Sequence, residues 1–354
     1  MKRKIIRIKD IAEKAQTSKG TVDRVLHNRG RVADDVKERI LGIIKELNYE
    51  PNLIAQSLKS QRTWNIAVLT PDPAGDSYWE APKNGMEKAE KELRQYGINV
   101  TQFIFNQHDE QAFINKAREA TSESPDGVLI APVFYKEALP FFEQWKQMNI
   151  PYVLFNTQIE SVDPLCYIGQ DSYRSGVLTA KILSFGLPEP CTILIAHINE
   201  DILNSPHLIT KEQGFRDYID RNVDSGKYKV ISQEISFPEG GTLDSNLDAI
   251  RKNEPDLAAI YVTNSKAFEI ASYLERADLK DLKLVGYDLL QPNLDFLNKE
   301  IIHFLINQNP LGQGYWGIHQ LANHLIFKKE IQPIKFLPLD IITKENLDYY
   351  LDPS

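Results

Sequence analysis

From Trp64 onward the chain alternates short apolar runs with amphipathic stretches, and this constrains its fold more than any other feature. The runs NIAVLTPD, INVTQFIF, DGVLIAPV and IPYVLFN read as strands, separated by helical patterns at Ala81–Tyr96, Gln111–Thr121 and Ala138–Met148. A second series follows, with CTILIAHI, LAAIYVTN, LKLVGYD and HFLINQ as strands and Lys211–Asp220, Ala267–Arg276 and Leu290–Asn298 as helices. Strand and helix in strict alternation imply parallel sheets covered on both faces. Two series of similar length predict an α/β body of two doubly wound lobes. Ligands of open parallel sheets sit beyond the carboxyl ends of the strands. In two facing lobes those ends share a cleft.

The polar residues at the strand ends are therefore candidate ligand groups. They are Asp72 after AVLTP, Asn156 after YVLF, Asn264 after IYVT, Asp288 after LVGY and Gln308 after FLIN. Such side chains offer paired donors and acceptors suited to hydroxyl-rich ligands. Tyr78, Trp79 and Trp316 supply flat faces for a sugar ring. A single polar residue ending a strand is usually a turn former or helix cap. Five at equivalent places favour a ligand site.

The N-terminal segment has a different grammar. In IKDIAEKAQTSKGTVDRVL, residues 8–26, a first helix Ile8–Ala15 places Ile8, Ile11, Ala12 and Ala15 on one face. Gln16 and Thr17 form a turn, and the Ser18 hydroxyl is suited to cap a second helix. Val22, Val25 and Leu26 face inward, leaving Lys19, Gly20, Thr21, Asp23 and Arg24 outward. Two short helices joined by a tight turn form a helix-turn-helix, whose second helix enters a major groove. A third helix, Asp34–Leu47, has the inward stripe Val36, Ile40, Ile43, Ile44 and Leu47. LIAQSLK, residues 53–59, is a short helix-prone stretch with little to bury.

Charge separates the two parts. Residues 1–62 carry 15 lysines and arginines against 8 aspartates and glutamates, a net of +7, while the other 292 residues carry 26 against 41, a net of −15. A basic head on an acidic body points to a polyanion partner for the head alone. Two cysteines, Cys166 and Cys191, lack metal-like spacing and fit reduced structural thiols in a cytosolic chain. No apolar h-region follows the basic N-terminus and no run is long enough to span a membrane, so the expected location is the cytoplasm.

Three segments, IKDIAEKAQTSKGTVDRVLHNRGRV, ELNYEPNLIAQSLKS and LPLDIITKENLDYYL, together with the alternating body, resemble the lactose- and galactose-repressor family of bacterial transcription regulators. The body also resembles periplasmic sugar-binding proteins in VTNSKAFEIASYL, LVGYDLL and LINQNPLGQG. The resemblance implies a homodimer on palindromic operator DNA, a hinge helix ordering on the minor groove, and a small polar effector, a sugar or sugar acid, in the cleft. It divides the chain into a head at 1–50, a hinge and linker at 51–63 and an effector-binding, dimerising body at 64–354. The implied DNA-contacting set is Ser18, Lys19, Gly20, Thr21, Asp23, Arg24, Asn28, Asn52, Ala55 and Leu58, with Leu58 as a minor-groove wedge. The implied effector set is Asp72, Tyr78, Trp79, Asn156, Asp171, Lys211, Asn264, Asp288 and Gln308. Asp23 stands where a small hydroxyl is usual, and Lys211 replaces an arginine whose bidentate fork a lysine cannot form.

Two other function classes are weaker. GQGYWG, Gly312–Gly317, matches G-x-G-x-x-G after a strand, but only about 40 residues remain to complete a dinucleotide-binding half. His319 and His324 are five apart rather than the four of a helical zinc pair, and no nucleophile elbow is present. The chain calls for no cofactor, no metal and no catalysis. A sugar-binding or transport-type protein without regulatory role is the remaining alternative, and the head argues against it.

Overall fold

The structure, a computed structural model, describes residues 7–26, 30–47, 62–199, 205–223, 226–236, 243–279 and 281–351. The chain divides into two compact units, Met1–Ser60 and Gln61–Ser354. In the first, α1 (Ile8–Lys14), α2 (Lys19–Leu26) and α3 (Asp34–Glu46) enclose a small core. Ile11, Ala12, Ala15, Val22, Val25, Ile40 and Ile43 are buried in it, with Val36, Ile44 and Leu47 packed at its margin. Gln16 takes a left-handed φ of 52° in the turn. The Ser18 hydroxyl accepts from the Thr21 N–H at 3.1 Å, satisfying an orphan donor of α2.

The second unit carries two six-stranded sheets. The first lobe is built from β1 (Trp64–Pro71), α4 (Glu80–Leu93), β2 (Ile98–Phe105), α5 (Glu110–Ser122), β3 (Gly127–Ile130), α6 (Tyr135–Gln147), β4 (Tyr152–Phe155) and β5 (Cys166–Gly169). The second follows as α7 (Ser172–Ser184), β6 (Cys191–Ile198), α8 (Pro206–Asn222), β7 (Tyr228–Ile235), α9 (Leu243–Asn253), β8 (Leu257–Val262), α10 (Ala267–Arg276), β9 (Lys283–Tyr287), α11 (Gln291–Asn298) and β10 (Phe304–Asn307). The chain then returns. α12 (Pro310–Leu325) packs on the first lobe, β11 (Ile334–Phe336) pairs with β5, β12 (Asp340–Ile342) pairs with β10, and α13 (Asp348–Leu351) follows. The sheet orders are β11-β5-β4-β3-β1-β2 and β12-β10-β9-β8-β6-β7, parallel throughout except for β10 with β12.

Each series of strands builds one lobe, as expected, and the C-terminal segment then serves both. The connections after β5, β10 and β11 join one lobe to the other. Between the first two, Gln170 donates through Nε2 to the Asn307 carbonyl at 3.1 Å. β5, β7, β11 and β12 escape the sequence pattern. β5 follows β4 with no helix between them, β7 is a half-exposed edge strand with no apolar run, and β11 and β12 are three residues each.

Each sheet is covered on both faces, as its run of buried residues requires. In the first lobe Trp145 is fully buried, and its indole N–H donates to Thr121 Oγ1 at 2.9 Å. Cys166 and Cys191 are buried free thiols, and burial pushes both up to about 11. Thiols held protonated in this way are poor nucleophiles. Among the described residues no helix is long and apolar enough to cross a membrane.

The glycines of GQGYWG have a packing role. A Cβ on Gly314 would run into the Pro82 carbonyl of α4, one on Gly85 into the Leu311 carbonyl, and one on Gly317 into the Leu129 side chain. The second lobe repeats the device where α7 crosses α8, with Gly176 against the Lys211 carbonyl and Gly214 against the Tyr173 carbonyl. Backbones this close leave no room for a side chain. Gly314→Val is expected to lower the melting temperature of the full chain by about 5 °C or more, since overpacking against backbone costs about 3 kcal/mol. A melt within about 2 °C of wild type would contradict the close-crossing account.

Candidate functional site

A cavity of about 300 Å³ lies between the two lobes, at the carboxyl ends of their strands. Its lining includes Tyr78, Trp79, Asn156, Lys211, Asn264, Asp288 and Gln308, seven of the nine positions read from the sequence. Asp288 and Asn156 leave their strands in left-handed conformation, at φ 66° and 67°. Asp and Asn tolerate this region because their short side chains can bond locally. The same residue type thus forms the turn and presents a polar group to the cleft.

Asp288 is 1 % exposed. Its Oδ2 accepts from Gln308 Nε2 at 2.7 Å, and its Oδ1 receives only a long contact from the Gln308 N–H at 3.4 Å. Gln308 Oε1 in turn accepts from Lys211 Nζ at 3.2 Å. Burial pushes the Asp288 carboxyl up to about 7, opposed by the Gln308 hydrogen bond and the Lys211 charge. A folded-state value above the unfolded one means that the folded protein takes up this proton first as pH falls. This group's contribution to stability therefore grows from above pH 7 toward pH 4. Asp288→Asn is expected to raise the melting temperature by roughly 3–8 °C at pH 8, with the gain shrinking at pH 5. A gain that grows on acidification would contradict the sign.

On the first-lobe side, Asp76 caps the 3-10 turn Ser77–Trp79 by accepting from the Tyr78 N–H at 3.0 Å. The Tyr78 hydroxyl donates to Asn156 Oδ1 at 3.0 Å, and burial holds that phenol well above its ordinary range. Trp79 donates to Gln107 Oε1 at 3.0 Å and meets Tyr78 edge to face at 5.0 Å. Across the cleft, His207 Nδ1 lies 3.2 Å from Thr157 Oγ1. Burial, then the Lys211 and His197 charges, lowers His207 to about 3, so it is neutral near pH 7. The arrangement is aromatic on one wall and a satisfied polar network on the other, suited to a compact hydroxylated molecule.

Two expected members lie elsewhere. Asp72 is exposed in the turn after β1, with Oδ1 accepting from the Ala74 N–H at 2.9 Å. Asp171 caps α7 through the Arg174 N–H at 2.9 Å and borders a separate surface hollow with Tyr135 and Ile159. Both are polar residues spent on a turn or a cap. Trp316 also misses the cavity; it is partly exposed on α12 against Tyr315, with Lys335 Nζ 4.4 Å from its ring centroid. Asn264 lines the cavity but has its side chain engaged at both ends, by the Ile198 carbonyl at 2.7 Å and the Lys266 N–H at 3.1 Å.

The cavity also includes Asp76, Gln107, His108, Thr157, His207 and Lys266, which sequence reading missed. Gln107 and His108 follow β2, so the strand-end rule reaches them when applied to every strand. His207 lies in the first turn of α8, upstream of the Lys211 start read from the sequence.

On the head, Ser18, Lys19, Gly20 and Arg24 are exposed, while Thr21 and Asp23 are half-buried. The Ser18 hydroxyl, 2.9 Å from Thr21 Oγ1, is also tied to the helix cap. A Cβ at Gly20 would meet only Ser18 Oγ at 3.7 Å, so packing does not demand glycine there. Asn28, Asn52, Ala55 and Leu58 lie outside the described residues, as does the hinge-helix segment.

Residues 66–329 match the family described as periplasmic binding protein domain, and residues 7–52 match bacterial regulatory proteins, lacI family. The chain belongs to the periplasmic binding protein domain family over its body, and its head is a lacI-family regulatory domain. The ribose operon repressor of Halalkalibacterium halodurans is 26% identical over 309 residues, covering 83% of this chain and 85% of that protein. The HTH-type transcriptional regulator MalR of Streptococcus pneumoniae is 23% identical, covering 82% and 85%. A crystal structure from Bacteroides fragilis assigned to the LacI transcriptional regulators superposes with a TM-score of 0.76 at 28% identity, covering 82% of this chain and 100% of that one. The glucose-galactose binding protein GanP of Geobacillus stearothermophilus shares the fold of the body, with a TM-score of 0.69 at 21% identity over 81% of this chain and 99% of that one. With a lacI-family head and a periplasmic-binding-protein-like body, the chain is a DNA-binding transcription regulator, and its relatives are regulators rather than enzymes.

Proposed function

We propose that the chain is an effector-responsive repressor of carbohydrate-use genes. It acts in the cytoplasm as a homodimer on a palindromic operator and holds a sugar or sugar derivative in the interlobe cavity. The observation that carries the effector site is the Asp288–Gln308–Lys211 chain facing Tyr78, Trp79 and Asn156 across one cavity. Repressors of sugar operons among the relatives support the same reading. A dimer follows from the reach of one recognition helix, which reads only a few base pairs and needs a two-fold partner for useful discrimination. The effector changes operator affinity only as far as it prefers one lobe arrangement over another, and the three interlobe connections are where such a change takes place.

A thermal-shift panel of pentoses, hexoses and disaccharides against the full chain tests the reading. At least one sugar is expected to raise the melting temperature in a concentration-dependent way and to change operator retention in a gel shift. A panel with no response would contradict the carbohydrate assignment. A melting shift without any change in DNA binding would favour the sugar-binding alternative.

A further inference from the structure

We propose that Lys211 is the internal counter-ion of the cleft rather than a ligand-contacting cation, and that the cleft therefore selects an uncharged polyhydroxy compound over its carboxylate analogue. The inference rests on the reading of the cavity as the effector site.

Lys211 is 1 % exposed although it borders the cavity. Its ammonium donates to the Thr263 carbonyl at 2.9 Å and to Gln308 Oε1 at 3.2 Å, and it stands 3.6 Å from the centroid of the Tyr287 ring. Two hydrogen bonds and a cation–π contact hold the ammonium from within the protein. The ring beneath it is fixed in turn, because the Tyr287 hydroxyl lies 2.7 Å from both Ser175 Oγ and Tyr261 OH. Lys211 is thus anchored in the core of the second lobe. Gln308 passes its charge on, accepting from Lys211 and donating to Asp288 Oδ2.

This arrangement leaves Asp288 Oδ1, with its single long contact, as the acceptor turned to a ligand. A carboxylate accepts hydroxyl hydrogens and repels another carboxylate. Among the described lining residues the carboxylates are Asp76, Glu110 and Asp288, the only other ammonium is Lys266, and there is no arginine. His207 is held neutral by burial. With Asp288 ionised, an anionic ligand would therefore meet three carboxylates against two ammoniums, without the bidentate fork that carboxylate recognition uses. The charged and titratable groups facing Asp288 are Lys211 from α8, Asp76 and Tyr78 from the 3-10 turn, and Tyr287 from β9.

Calorimetric titration of the full chain at pH 8, where Asp288 is ionised, with ring-matched pairs provides the test: D-glucose with D-glucuronate and D-galactose with D-galacturonate. In every pair that binds, the neutral member is expected to bind at least 10-fold tighter. Lys211→Met is expected to weaken the neutral probe 10-fold or more. It should also move the pH at which that affinity is half lost upward by about one unit, because Asp288 loses the charge that keeps its proton off. An acid that binds as tightly as its neutral partner overturns the proposal. So does a Lys211→Met protein that loses only the acid and keeps the neutral affinity and pH profile. The wild-type comparison decides the matter if the variant does not fold. A panel in which neither member of any pair binds overturns the sugar reading of the cleft and this inference with it, whereas acid-selective binding leaves that reading standing.

Discussion

Asp288→Ala is expected to lower effector affinity 10- to 100-fold while leaving operator binding within about 3-fold of wild type. The carboxylate is buried at the turn out of β9 and is held by the Gln308 amide at 2.7 Å. A hydrogen bond to a charged group contributes roughly 1.5–3 kcal/mol, which corresponds to that range. Truncation also strands the Gln308 amide, which donates to the missing carboxylate, so the upper end is the better expectation. On the proposed reading the operator is contacted by the head, whose residues this substitution does not touch. Calorimetry and a gel shift on the same preparation separate the two effects. Ligand affinity equal to wild type would show that Asp288 is not in the site. Loss of operator binding would show that it is needed to build the body.

Arg24→Ala is expected to weaken specific operator binding by 30-fold or more. Arg24 is exposed on α2, in the helix whose buried side is Val22 and Val25. A guanidinium that forks onto a guanine edge contributes about 1–3 kcal/mol. In a two-fold dimer the loss occurs twice, so even the low end reaches about 30-fold. Wild-type affinity should also fall steeply between 50 and 200 mM salt, through counterion release by the basic head. Gel-shift titrations at both salt concentrations measure the two effects together. An Arg24→Ala protein with unchanged operator affinity would remove α2 as the reading helix.

The head was nearly fully legible. Ile11, Ala12, Val22, Val25, Ile40 and Ile43 obey one helical spacing, and a three-helix core of this size has few other ways to close. The body was legible as strands and helices, because a parallel strand buried on both faces must be written as an unbroken apolar run. What periodicity could not convey was the return of α12 and β11 to the first lobe. That step depends on backbone contact at Gly85 and Gly314 rather than on any pattern of hydrophobicity. In the cleft, strand ends marked Asn156, Asp288 and Gln308. The same rule also named Asp72, whose carboxylate closes its own turn, and Asn264, whose amide ties β6 to β8. Local hydrogen bonding decides between these fates, and one-dimensional spacing does not encode it. Asp76 and His207 stayed hidden because they stand at helix starts rather than strand ends.

On the proposed function, a ligand held between the lobes alters how the head holds DNA. The most direct measurement takes a duplex selected by the full chain from random DNA and titrates protein onto it with and without the sugar identified by thermal shift. Wild type and Asp288→Ala are run side by side. The expected result is a ligand-dependent change in operator affinity of at least 5-fold for wild type and none for Asp288→Ala, with equal affinities in the absence of ligand. A wild-type protein whose operator affinity is the same at saturating ligand as without it would contradict the account.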